Sequence, residues 1–236
     1  MKKIIEIWYD SNGKKQYKYN PEYTKIQSQN KFDKIMKHHR LFTQIVKDIH
    51  KNLKSKDFRI KQIAMILYIM IHCGFRIGNK FYEKNYNSYG ISTMKAKHAF
   101  LVKPGTIKFD FIGKKGIRNV DICKNNTIYK YISNTVAHKG KNDYIFNDIS
   151  SSDVNSYLRQ YGDISSKDLR TWMANVLFLK YYKDNCHVNK KNIIKHSIEF
   201  VSKKLHNTVS ICKKSYIDNK LIQYITQKIK NDDIKL

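Results

Sequence analysis

The chain has 236 residues and a 41% hydrophobic composition, enough for one large domain or two small ones around a real core, which excludes a disordered basic tail. Its 46 lysines and arginines face only 19 acidic residues, a formal net charge of +27. A folded domain that basic repels itself unless a polyanion is near, so nucleic acid is the leading partner and an anionic membrane surface the second. Cys73, Cys123, Cys186 and Cys212 form no close pair, which points away from a zinc site or a disulfide framework and toward reduced thiols in an intracellular protein. The first residues hold no long apolar core and are not a signal peptide. The longest apolar run, Ile63 to Ile71, is about half the ~18 residues a membrane span needs.

In chain order, Ile4 to Tyr19 alternates enough for one or two strands around a turn at Asp10-Ser11-Asn12-Gly13. Between Lys31 and Leu53 the apolar residues Phe32, Ile35, Met36, Phe42, Ile45, Val46 and Ile49 recur at helical spacing. Phe58 to His72 is a second, more buried helix that stops near Gly74, so Arg76 sits just past a helix end. A strand is expected around Ser92 to Val102. Thr106 to Ile112 and Ile117 to Ile122 both alternate with period two around Gly113-Lys114-Lys115-Gly116, a β-hairpin with lysines at its tip. Helices follow near 125–138, 151–161, 167–184 and 191–205. A last one starts at the N-cap Thr208 and places Tyr216 about two turns in. The fold class is α+β and mainly α, with a small three-stranded antiparallel sheet.

Arginine occurs only at Arg40, Arg59, Arg76, Arg118, Arg159 and Arg170 in this lysine-rich chain. Two of these lie in distinctive stretches, Gly74-Phe75-Arg76-Ile77-Gly78-Asn79 and Ser166-Lys167-Asp168-Leu169-Arg170-Thr171-Trp172. A guanidinium grips a phosphate with two parallel hydrogen bonds, a geometry lysine cannot copy. Two such arginines and a late tyrosine fit attack by a phenol on a phosphodiester. Nearby positive charge helps the phenol ionise, and fixed cations stabilise the charge that builds on the non-bridging oxygens. A lysine ammonium can protonate the leaving 5′-oxygen.

Five ordered segments carry a resemblance to the type IB DNA topoisomerases of the poxvirus and bacterial small type, over roughly residues 10 to 220. They are GKKQYKYNPEYTKIQSQNKFDKI, GFRIGNKFY, YGISTMKAKH with IKFDFIGKKG, SSKDLRTWMANVLFL and VSKKLHNTVSICKKSY. The resemblance implies a helical catalytic core of the DNA breaking-rejoining kind. It implies Tyr216 as nucleophile, Arg76 and Arg170 as phosphate-binding catalytic residues and Lys114 as general acid. Asn207 falls where the poxvirus-type pattern Gly-His-Thr-Pro has its histidine, and His206 lies one residue early. Gln16, Tyr17, Tyr19, Tyr82, Lys167 and His206 fall at DNA-contacting positions. The implied partner is double-stranded DNA, with no cofactor, metal, membrane or small-molecule substrate.

The expected organisation is an N-terminal strand remnant and DNA-contacting segment over 1–20 and a catalytic domain over 21–236. The clamp domain common in the family is reduced to a remnant or supplied by a separate subunit, and the enzyme is a monomer. AT-rich residue usage points to a large DNA virus, hence a place in the virion or at the host's cytoplasmic replication site, with a bacterial source as the alternative. Two other functions stay open at this point: a tyrosine recombinase, which shares fold and chemistry, and a non-catalytic DNA-binding relative, motivated by Asn207 and the missing clamp.

Overall fold

A run such as Ile63-Ala64-Met65-Ile66-Leu67-Tyr68-Ile69-Met70 has no polar face, so as a helix it must be covered on every side. The computed structural model bears this out: helix Phe58–Cys73 buries each of these residues and lies at the centre of the larger part of the molecule. The structure describes residues 2–11, 13, 15–187 and 192–234. Asn12 of the expected turn and Lys191 of an expected helix start lie outside the described residues. Helices, 3-10 turns included, make up 60% of the described residues, and the strands form two small antiparallel sheets.

The chain divides into two units, Met1–His39 and Arg40–Leu236. In the first, β1 (Ile4–Tyr9) pairs antiparallel with β2 (Lys15–Tyr19), with Trp8 opposite Gln16 and Ile7 opposite Tyr17. α1 (Pro21–Lys37) follows at once; the Asn20 side chain accepts from Glu22 N at 2.9 Å, and Pro21 opens the helix where no amide is needed. The unit therefore runs on to His39, past the boundary expected at residue 20. The single helix expected over 31–53 is two helices, because the turn at His38 separates α1 from α2 (His39–Asn52) without a glycine or proline to announce it.

In the second unit α2 buries Phe42, Ile45 and Ile49, and Phe42 stacks on Trp172 with ring centres 5.6 Å apart. α3 is Phe58–Cys73, capped by Asp57, whose side chain accepts from Ile60 N at 3.0 Å. The short α4 (Lys80–Tyr86) comes next; nothing in the apolar pattern announces it. Two single-turn 3-10 segments, Ile91–Thr93 and Ala96–His98, occupy much of the stretch expected as a strand, which shortens to β3 (Ala99–Lys103). β4 (Thr106–Ile112) pairs with β3 and with β5 (Arg118–Lys124), giving the expected three-stranded sheet in the order β3-β4-β5. Ile107, Phe109 and Phe111 face inward, and the Gly113–Gly116 turn bears Lys114 and Lys115.

α5 (Asn126–Val136), α6 (Ser151–Arg159), α7 (Ser166–Asn185) and α8 (Ile193–Lys204) agree with the expected helices to within a few residues. α9 (Val209–Ser215) is capped by Thr208, whose hydroxyl accepts from Ile211 N at 3.2 Å, and ends at Tyr216. Tyr216 therefore terminates its helix rather than sitting inside it. α10 (Asn219–Ile234) follows and has no counterpart in the sequence reading. Among the described residues no helix is long and apolar enough to cross a membrane.

Candidate active site

Three chain segments meet around Tyr216, and each reaches the meeting point for a local reason. The first is the exit from α3. Gly74 takes a left-handed conformation (φ 66°) that ends the helix, and a side chain there would overlap the Lys204 carbonyl. Phe75 then plugs the inner face of the sheet, edge-on to Phe109 and Phe111 at 5.5 and 5.0 Å. This leaves Arg76 aimed the other way. Its backbone is fixed by the following segment: Ile91 N donates to Arg76 O at 3.0 Å and Ser92 N to Ile77 O at 2.7 Å. The two chains approach so closely that a Cβ on Gly90 would strike Gly78 and the Arg76 carbonyl.

The second segment is the first turn of α7. Ser165 and Asp168 form a capping box, so the acidic neighbour of Arg170 is engaged at the helix start, not paired with the guanidinium. Arg170 is 3% exposed. It donates to the Gly74 carbonyl and, at 2.6 Å, to the Leu205 carbonyl. These bonds tie α7 to the ends of α3 and α8. Burial brings its pKa down to about 10, which still leaves it charged at neutral pH.

The third segment is the α8–α9 connection. α8 ends at Leu205, and His206 adopts a left-handed conformation (φ 50°) that reverses the chain. The His206 ring stacks on Phe75 at 4.8 Å, with Nε2 2.9 Å from the Cys73 carbonyl. The reversal points Asn207 at Arg76, whose guanidinium donates to Asn207 Oδ1 at 2.5 Å. Because guanidinium only donates, the amide oxygen faces it and Nδ2 is turned away. Asn207 Nδ2 and Arg170 Nε are both buried without a hydrogen-bond partner among the described residues. Orphan buried donors are costly, and one on the Arg170 guanidinium with one on the amide that Arg76 holds make a cradle for an anion.

Tyr216 lies in this cradle, 9% exposed, with the Arg170 guanidinium 5.6 Å from its ring centre. Burial alone would raise the phenol's pKa; the nearby charges of Arg170 and Arg76 outweigh it and hold the group below the ordinary tyrosine value. The nearby Cys212 thiol is pushed up to about 11 by burial and stays protonated.

One residue of the cluster escaped the sequence reading. Asn175, on α7, donates from Nδ2 to the Tyr216 carbonyl at 2.8 Å and accepts from Asp218 N at 2.9 Å. It clamps the backbone on both sides of Ile217, and this explains why α9 stops at Tyr216. Its signal was an amide inside the apolar stretch Trp172-Met173-Ala174-Asn175-Val176-Leu177.

The other expected site residues stand elsewhere. Lys114 is exposed on the β4–β5 turn, which is closed by Gly113 N to Ile117 O at 2.8 Å and tied to the segment after α4 by Tyr89 N to Ile112 O at 2.7 Å. Lys167 lies on the first turn of α7, and Tyr82 is exposed on α4. Gln16, Tyr17 and Tyr19 belong to the N-terminal unit. There the Gln16 amide donates to Asp10 Oδ2 at 2.7 Å, and Tyr17 and Tyr19 share one face with ring centres 6.2 Å apart. Among the described residues no group of three or more His, Cys, Asp or Glu side chains is gathered to hold a metal ion.

The family model for the catalytic core of eukaryotic DNA topoisomerase I matches residues 20–235. The chain is 27% identical over 232 residues to DNA topoisomerase 1 of Rabbit fibroma virus, covering 96% of this chain and 73% of the relative. It is 29% identical over 245 residues to DNA topoisomerase 1B of Acanthamoeba polyphaga mimivirus, covering 92% and 70%. Against DNA topoisomerase 1 alpha of Arabidopsis thaliana it is 27% identical over 183 residues, 73% of this chain but 20% of that much longer protein. A match that spans nearly the whole helical core, around a tyrosine flanked by two guanidiniums held by neutral oxygens, leaves one assignment: the chain belongs to the DNA topoisomerase I family and is an enzyme of type IB.

Proposed function

We propose that Tyr216 is the nucleophile of a relaxation reaction on duplex DNA. The Tyr216 phenolate, its proton lost to water, bonds to the scissile phosphorus, the bond from phosphorus to the 5′-oxygen breaks, and the departing oxygen takes a proton from the Lys114 ammonium. The product is a 3′-phosphotyrosyl link and a free 5′-hydroxyl. The nicked duplex swivels, supercoils relax, and the 5′-hydroxyl returns its proton to Lys114, bonds to the phosphorus and expels the Tyr216 phenolate, which restores the strand. The bond energy is kept in the covalent link, so no ATP is consumed. Arg76, Arg170 and the Asn207 amide hold the non-bridging oxygens as charge builds on them. Gln16, Tyr17, Tyr19, Tyr82, Lys167 and His206 contact the duplex, and one chain suffices for one nick.

The observation that carries this reading is the cluster around Tyr216: the Arg170 guanidinium 5.6 Å from its ring centre, Arg76 held on Asn207, and buried donors on Arg170 and Asn207 that lack partners among the described residues. The test is relaxation of positively and negatively supercoiled plasmid in EDTA without ATP, alongside Tyr216→Phe. Both signs should relax, a 3′-linked covalent adduct should be trapped, and both should vanish in the variant. Relaxation that survives in Tyr216→Phe, or an adduct on the 5′ end, would overturn the proposal.

A further inference from the structure

α4 is seven residues long, too short to hold itself together by its own hydrogen bonds. Its outward side exposes Phe81, Tyr82 and Tyr86 in mutual contact, with ring centres 5.5 to 6.4 Å apart. Its only buried side chain is Glu83, 7% exposed. A surface helix ordinarily docks through apolar residues; this one docks through a carboxylate.

The seat of that carboxylate is well defined. Glu83 Oε2 accepts from the Tyr144 hydroxyl at 2.7 Å, and Oε1 pairs with Lys95 Nζ at 2.9 Å. Lys95 and Tyr144 are themselves paired through their backbones. The Lys95 ammonium lies over the Tyr89 and Tyr144 rings at 5.5 and 5.3 Å, and Lys80, from the first turn of α4, lies over Tyr144 at 5.6 Å. The Glu83 contact raises the pKa of Lys95, which keeps the pair charged. A buried ion pair adds little stability over an apolar pair of the same size, but its hydrogen bonds are directional. Two of them, one per carboxylate oxygen, fix the rotation of α4 about its axis. With side chains about 5–6 Å from that axis, a twist of about 20° would carry the opposite rings about 2 Å out of place.

We infer that Glu83 is a positioning residue that sets how α4 presents Phe81, Tyr82 and Tyr86 to duplex DNA, and so governs binding rather than the chemical step at Tyr216. The inference rests on the reading of Tyr82 as a DNA contact. The test measures the Kd of a short duplex in a Tyr216→Phe background, where no covalent link forms, and the single-turnover cleavage rate at saturating DNA in the Tyr216 enzyme. Glu83→Gln should raise Kd about tenfold, roughly 1.4 kcal/mol, and slow saturated cleavage by less than about threefold, the split expected when ground-state and transition-state binding fall together. In a Tyr82→Ala background the same substitution should add little to Kd, because both act through one helix face.

Glu83→Leu/Lys95→Met, an apolar pair of similar volume, controls for folding: it should restore the melting temperature but leave Kd high. Three results would overturn the inference: an unchanged Kd in Glu83→Gln, a cleavage rate that falls as far as affinity, or a double variant that recovers Kd together with stability. Failure of the Tyr216 assignment would instead appear as an absent adduct in the Glu83 enzyme, with the Kd series still readable.

Discussion

Asn207 offers the sharpest check on the site, because its two side-chain atoms have separate jobs. Oδ1 accepts from Arg76 at 2.5 Å, while Nδ2 is buried with no partner. If the residue serves only to hold Arg76, Asn207→Asp should be harmless or better, since a carboxylate of the same shape binds a guanidinium more strongly. If Nδ2 is the donor to the scissile phosphate, Asp puts a negative oxygen where a donor belongs. Loss of one such donor typically costs about 2.7–4 kcal/mol in transition-state stabilisation. A neutral amide beside two guanidiniums belongs at the low end, so Asn207→Ala should slow single-turnover cleavage about 100-fold. Asp adds repulsion: two unit charges about 4 Å apart at an effective dielectric of 20 interact by about 4 kcal/mol, an upper bound that solvent and the adjacent arginines reduce. Asp should therefore be slower than Ala, by about tenfold or more. The assay is the rate of covalent adduct formation on a duplex at saturating enzyme, with melting temperatures to confirm that each variant is folded. An Asp variant as fast as the unmodified enzyme would refute the assignment of Nδ2 to the phosphate and reduce Asn207 to a support for Arg76.

Other consequences follow from the same contacts. The Arg170 and Arg76 charges lower the Tyr216 pKa against the opposing effect of burial, so cleavage should rise with pH and level off below the ordinary tyrosine value of about 10. Removing one positive charge in Arg76→Ala raises the phenol's pKa, so the plateau should move to higher pH; a pH–rate profile that keeps its midpoint would count against ionisation of Tyr216 in the rate. Gly74→Ala combines a left-handed conformation with overlap on the Lys204 carbonyl, a cost of about 2–4 kcal/mol, and should both lower the melting temperature and slow cleavage by displacing the Arg170 seat. His98 accepts from Lys95 N at Nδ1, and burial lowers its pKa to about 4. The unfolded chain binds this proton first, so the stability contribution is complete above about pH 6.5 and is lost as pH falls toward 4, by about 3 kcal/mol at most. His98→Asn, which retains an acceptor, should flatten the dependence of urea stability on pH across that window.

Elements that advertise themselves through burial were legible in the residues. The run through Ile63–Met70 and the glycine after it mark α3, and alternation around Gly113–Gly116 marks the hairpin. α4 was invisible because its pattern is inverted, with aromatics outside and an acid inside. The break at His38 has no breaker residue, since apolar spacing continues from Phe32 to Ile49 across it. The roles expected for Arg76, Arg170, Asn207 and Tyr216 came from motif order, and the fold brings those four side chains together. Asn175 and Glu83 were missed for a shared reason: each works through hydrogen bonds to residues distant in the chain, which no local pattern records.

The scarcity of arginine looked like a sign of phosphate chemistry, and the structure shows where that argument needs sharpening. Arg118 spends its fork on Asp110, with Nε and an Nη nitrogen each 2.7 Å from a carboxylate oxygen, and Arg59 pairs with Asp153 at 2.7 Å. A planar fork is useful there too, but those charges are already neutralised. Among the described residues Arg76 and Arg170 are bound by neutral oxygens, an amide and two backbone carbonyls. Carbonyl dipoles orient a guanidinium without cancelling its charge, and burial keeps water from screening Arg170. The result is two fixed cations whose field falls on one hydroxyl, visible in the lowered pKa of Tyr216 despite its burial. What marks an arginine here as belonging to the active site is therefore its partner: a carbonyl holds the charge in place and leaves it available to the anion.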